Sequence, residues 1–157
     1  MTKTFKILIS IFFIIPCILL ASCGVLTLKG KTFNYSKVEI DWGIATEDDK
    51  SALFTEFQVQ NEPELLNVLK TRNNRNSRYT TFGTDGKYVT KDENGEILDS
   101  GYYKQEESVV TLAETEEKLS DPTAYTLQAN EKGYVVTVVL NADKQIYAKY
   151  QYVEQDK

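Results

Sequence analysis

Histidine is absent from the chain, and its two cysteines, Cys17 and Cys23, both lie within the first 23 of 157 residues. The first absence removes the commonest general base and the commonest transition-metal ligand together. The second leaves no thiol nucleophile and no disulfide downstream of residue 23. The usual nucleophile and base pairs therefore cannot be assembled there. Paired carboxylates are the remaining catalytic device, and no Asp or Glu pair stands out by its setting. Glu114, Glu116 and Glu117 crowd a connector that reads as exposed. A non-enzyme without cofactor is expected. Positive charge is also short, with 18 basic against 23 acidic residues and a formal net charge of −5. That sign argues against nucleic acid as a partner.

A single long apolar run is present. Lys3 and Lys6 precede Ile7 to Leu20, which only Ser10, Pro16 and Cys17 interrupt, and Ala21 and Ser22 follow. A charged start, an apolar middle and small residues form the order of a secretory signal. The run falls short of the roughly 20 residues that span a bilayer. Leu20-Ala21-Ser22-Cys23 resembles the bacterial lipobox, whose cysteine is acylated before cleavage on its N-terminal side. The expected organisation is a signal peptide over 1–22, a short lipid-anchored tether over 23–30 and one domain over 31–157. Two or three acyl chains on Cys23 suffice for stable anchoring. Localisation at the cell membrane or outer membrane, on its extracytoplasmic side, follows from that reading.

Beyond the tether the dominant period is two. The first strand candidate is Lys31 to Trp42. Phe33 and Tyr35 alternate in one phase and Val38, Ile40 and Trp42 in the other, so a bulge or bend is expected around Ser36 and Lys37. Seven further candidates follow, over 79–83, 87–92, 96–104, 108–113, 123–129, 134–140 and 145–153. Thr84-Asp85-Gly86 and Glu93-Asn94-Gly95 carry the chemistry of tight hairpins. Asp92 to Ile97 also echoes the middle of a calcium loop. Thr90 and Gly101 then fall at ligand positions that neither can fill, so the segment reads as a hairpin.

Only Thr46 to Thr71 departs from this period. Thr46-Glu47-Asp48-Asp49 is patterned as a capping box, and Leu53, Phe54 and Phe57 share a helical face. Asn61-Glu62-Pro63-Glu64 reads as a second helix start, followed by Leu65, Leu66 and Leu69. The 134–140 strand is apolar on both faces, with Val135 and Val139 on its outer side. The helical segment is expected to cover that side. Lys70, Arg72, Arg75 and Arg78 form a local basic cluster that reads as a solvated loop or, alternatively, as a site for an anionic ligand or phospholipid headgroup.

Eight strands, most joined by short connectors, make sequential antiparallel neighbours. Closing them removes the exposed edges. The expected fold is mainly β: an eight-stranded antiparallel up-and-down barrel, with the helical segment between its first two strands.

Leu28-Lys29-Gly30-Lys31-Thr32-Phe33, Phe82-Gly83-Thr84-Asp85-Gly86-Lys87-Tyr88 and Asn94 through Tyr103 occur in that order. Together they resemble the lipocalin-like domains of small bacterial lipoproteins. The resemblance implies a cavity for a small apolar molecule or a protein-binding surface, without catalysis. Where eukaryotic lipocalins open with Gly-x-Trp, Gly30 is here followed by Phe33, and Trp42 ends the strand. Phe33, Tyr35, Tyr88, Tyr102, Tyr125, Tyr134, Val136, Val138 and Tyr150 are the expected pocket wall. The alternative is an envelope scaffold that contacts another protein, its barrel filled by these same side chains.

Overall fold

The computed structural model describes residues 24–72 and 78–155. The expected leader, Cys23 and Arg75 lie outside the described residues. The strands are β1 (Lys31–Asp41), β2 (Tyr79–Phe82), β3 (Lys87–Lys91), β4 (Ile97–Glu106), β5 (Val109–Ala113), β6 (Tyr125–Ala129), β7 (Gly133–Asn141) and β8 (Ile146–Glu154). Each pairs antiparallel with the next, and β8 returns to β1, so the sheet is a closed barrel. Two helices, α1 (Glu47–Glu56) and α2 (Glu62–Thr71), lie between β1 and β2, and a 3₁₀ turn at Glu117–Ser120 interrupts the acidic connector.

The local grammar acts as read. The register of β1 against β8 shifts between Tyr35 and Lys37, which restores Val38 and Ile40 to the inner face. Thr46 Oγ1 accepts from the Asp49 N–H, while Asp49 Oδ2 accepts from the Thr46 N–H at 2.8 Å. Asn61 caps α2 by accepting from the Glu64 N–H at 3.0 Å. At the β3–β4 turn, Asp92 Oδ1 accepts from the N–H groups of Asn94 and Glu96, each at 2.9 Å. That carboxylate serves its own hairpin.

The helices do not cover β7 as the sequence pattern suggests. Val139 is 57% exposed, whereas Leu65 and Leu69 of α2 are buried. The Tyr150 hydroxyl, pointing inward from β8, donates to the Leu69 carbonyl at 3.1 Å. The reason lies in β2, which pairs only with Lys31–Asn34 of β1. Past its bulge β1 has no strand on that side among the described residues, and Val38 and Ile40 need cover there. The intervening helices provide it. The outward valines of β7 express β-propensity on a surface strand.

One end of the barrel is sealed. Phe33, fully buried, packs edge-on against Phe82 and Tyr134, with ring centroids at 5.8 and 5.5 Å. Tyr103 meets Phe82 at 4.9 Å and donates its hydroxyl to the Gly83 carbonyl at 2.7 Å. Edge-to-face pairs add about 0.5–1.5 kcal/mol each beyond burial. Leu28, also fully buried, closes this end from below. Its N–H donates to Gln105 Oε1 at 2.9 Å, and the same amide donates to the Leu26 carbonyl at 3.0 Å. The Leu26 N–H reaches the Asn130 carbonyl at 3.0 Å. Residues placed by the sequence in the tether thus form the plug. Gly133 is required here, because a Cβ at that position would lie 2.1 Å from the Tyr152 carbonyl oxygen.

Candidate functional site

The other end carries the helices on one side and, on the opposite side, a cavity of about 200 Å³. Its position follows from strand polarity. Arg78 immediately precedes β2, Thr90 lies near the end of β3, Asp99 near the start of β4, and Tyr125 opens β6. These residues form the mouth. Phe82, Leu127, Tyr134, Val136 and Tyr152 line it more deeply. Tyr134 and Tyr152 stack, with ring centroids 4.8 Å apart and planes 9° from parallel.

The polar groups of the wall are arranged in pairs. The Thr80 and Thr90 hydroxyls lie 2.9 Å apart. One donates to the other, so the accepting hydroxyl keeps its own hydrogen for another acceptor. The Tyr88 hydroxyl donates to Asp99 Oδ2 at 3.0 Å. Burial pushes the Tyr88 phenol pKa well above its ordinary value, and the Asp99 and Glu114 charges and the hydrogen bond to Asp99 push it in the same direction. Tyr88 is therefore a fixed neutral donor that orients the Asp99 carboxylate at the mouth. The Arg78 guanidinium adds a permanent positive charge to the same lining. The cavity is apolar and aromatic in depth, with ionic and hydroxyl groups at its opening.

Tyr88, Tyr125, Tyr134 and Val136 are brought together in this wall. The other residues expected there lie elsewhere. Phe33 is packed solid in the sealed end, and Tyr150 is buried against α2. Val138 packs against the core outside the cavity lining. Tyr35 stands at a surface groove with Leu66 and Lys70 of α2, its ring 6.2 Å from that of Tyr152. Burial raises the Tyr35 phenol pKa, helped by Tyr150 and Tyr152 and opposed by a hydrogen bond from the Val38 backbone. Tyr102 alternates with the inward Tyr103, and the Lys87 ammonium sits 5.6 Å from its ring centroid.

The polar members of the wall carry weaker sequence signals than the aromatic ones. Thr80 is in phase with Phe82, and Thr90 with Tyr88, so the period-two pattern already puts both hydroxyls on the inner face. Arg78 belongs to the basic cluster that reads either as a solvated loop or as an anion site, and in the fold it lines the cavity. Its neighbours there diverge: Arg72 lies over the Phe57 ring at 5.5 Å, and Lys70 borders the groove beside β1.

Among the described residues, no cluster of three or more potential metal ligands occurs, and no helix is long and apolar enough to cross a membrane. No family model, curated protein or solved structure gives a significant match to the chain. The eight-stranded barrel is compatible with a lipocalin-like fold, and the functional reading rests on the cavity's own geometry.

Proposed function

We propose that this protein is a lipid-anchored, extracytoplasmic, non-catalytic binding module of lipocalin-like type, holding a small ligand with an apolar part in its barrel. The observation that carries the reading is the cavity at the mouth, about 200 Å³ and lined by Tyr88, Tyr125, Tyr134 and Val136. An engineered apolar cavity of about 150 Å³ accommodates benzene, so this one suits a ring or a short chain. It is smaller than the roughly 300–1,000 Å³ of sites for drug-sized ligands. Phe82, Leu127 and Val136 offer apolar contact, while Arg78, Asp99 and the threonine pair fix orientation. The anchor is supported by the signal-like leader ending at Leu20-Ala21-Ser22-Cys23.

Native mass spectrometry of the full-length gene product, isolated from bacterial membranes in mild detergent, tests both parts. The expected result is an acylated chain beginning at Cys23 that carries a small molecule, with the molecule lost in Val136→Phe. An unmodified chain retaining Met1 overturns the anchor. A wild-type protein that carries nothing and takes up no member of a small ring-compound library overturns the binding module.

A further inference from the structure

The two ends of the barrel give the proposed anchor and the proposed ligand opposite directions. The described chain begins at Gly24, and Leu26 is already held at the sealed end through its N–H to Asn130 and its carbonyl to Gln105. Two residues, Gly24 and Val25, separate Cys23 from Leu26, and the three chain steps between them span at most about 11 Å. An acyl chain on Cys23 therefore enters its bilayer beside the sealed end. The cavity mouth is formed by Arg78, Thr90, Asp99 and Tyr125, at the other ends of the strands. Strands advance about 3.3 Å per residue. The nine-residue β7 thus runs roughly 30 Å from the Asn130–Gly133 turn at the sealed end to the β7–β8 hairpin at the mouth end.

From this geometry, and resting on the anchored binding module argued above, we infer that the mouth faces away from the anchoring bilayer and that the ligand is a small, water-borne molecule with a polar group, not a lipid drawn from that bilayer. Three features agree. The sealed end offers no entry, because fully buried Leu28 and Phe33 fill it. The volume of about 200 Å³ is far below what a diacyl lipid needs. The entrance carries a guanidinium, a carboxylate and hydroxyls, a polar rim that matches a ligand arriving from water with hydrogen-bonding groups of its own. A purely hydrocarbon ligand would make no use of the hydroxyl hydrogen that the threonine pair leaves available.

The test uses the lipidated full-length protein in vesicles. Cys23 is acylated and no other cysteine follows it, so Ile97→Cys at the mouth end and Glu131→Cys at the sealed end each accept a single fluorophore; both positions are exposed. Nitroxide-headgroup lipids should quench the label at position 131 several-fold more than the label at position 97, and aqueous iodide should show the reverse order. Equal quenching, or stronger lipid quenching at position 97, overturns the orientation. Intact mass is measured on the same samples, so failure of acylation is recognised as failure of the anchor itself. The ligand half is read by native mass spectrometry. A bound species much lighter than a diacyl lipid, and lost in Val136→Phe, supports it. A bound phospholipid overturns the water-borne ligand while leaving the binding module standing, whereas no bound species and no uptake from a ring-compound library defeats the module and not the orientation.

Discussion

The sealed end and the mouth of this barrel are made from the same eight strands and much the same aromatic stock, yet one is solid and the other hollow. At the sealed end Phe33, Phe82, Tyr103 and Tyr134 meet edge to face, and Leu28 fills the remaining space from outside the sheet. At the mouth the helices fill only the side next to β1, where Leu65 and Leu69 lie. The side bounded by β2 to β6 receives no such plug among the described residues, and the cavity lies there. Composition therefore does not distinguish core from pocket. The supply of covering segments does.

The contrast can be broken most severely at the sealed end. Phe33→Ala removes a fully buried ring from a cluster with no room to collapse, and should cost about 3–5 kcal/mol. Urea denaturation monitored by circular dichroism measures this; a loss below about 1 kcal/mol would show that the end is not tightly packed. Leu69→Ala tests the plugged side of the mouth. It should cost about 2–4 kcal/mol by the same measurement and loosen α2, read as faster hydrogen exchange through Glu62–Thr71.

The hollow side should respond differently. Val136→Phe adds volume where space exists, so stability should change by no more than about 1 kcal/mol while ligand occupancy falls at least tenfold. A loss of several kcal/mol would mean the wall is packed as the sealed end is.

The smallest effect belongs to the capping box of α1. Asp49 is held at a pKa of about 2 by the Thr46 backbone N–H, the Thr46 hydroxyl and Lys144. A depressed carboxylate contributes stability that is present above its unfolded value, about 3.9, and is lost as pH falls through about 2. Thr46→Ala should raise the Asp49 pKa toward the ordinary carboxylate range, flatten the stability change between about pH 4 and pH 2, and cost about 1 kcal/mol at neutral pH. NMR titration of the Asp49 side chain follows the first effect directly.

Much of the frame is legible in one dimension. Period-two alternation, Asp-Gly and Asn-Gly turns and the phase slip before Val38 specify strands, hairpins and a bulge, because each is a local rule with a strong backbone preference behind it. The helix starts at Thr46 and Asn61 are equally local. The site is less legible. Alternation identifies an inner face, and Tyr88, Tyr125, Tyr134 and Val136 follow from it. Phe33 and Tyr150 share that face and are buried in the core, since depth along the barrel axis leaves no periodic trace. Arg78 stays ambiguous between solvated loop and ligand site because a basic residue beside an Asn-rich loop has the same local pattern whether it faces solvent or a cavity.

Local pattern therefore carries the eight-strand order, the two helix starts, the inner faces of β7 and β8 and the signal-like leader with its cysteine, while the phase of β4, where Tyr103 and not Tyr102 faces inward, does not follow from it. Tertiary structure alone decided where the helices go, which end is sealed and where space is left. Those outcomes depend on the early end of β1–β2 pairing after Asn34 and on Leu28 reaching Gln105 across 77 positions of chain. Periodicity acts between neighbours a few residues apart, whereas filling a barrel is a three-dimensional packing condition met by segments distant in sequence.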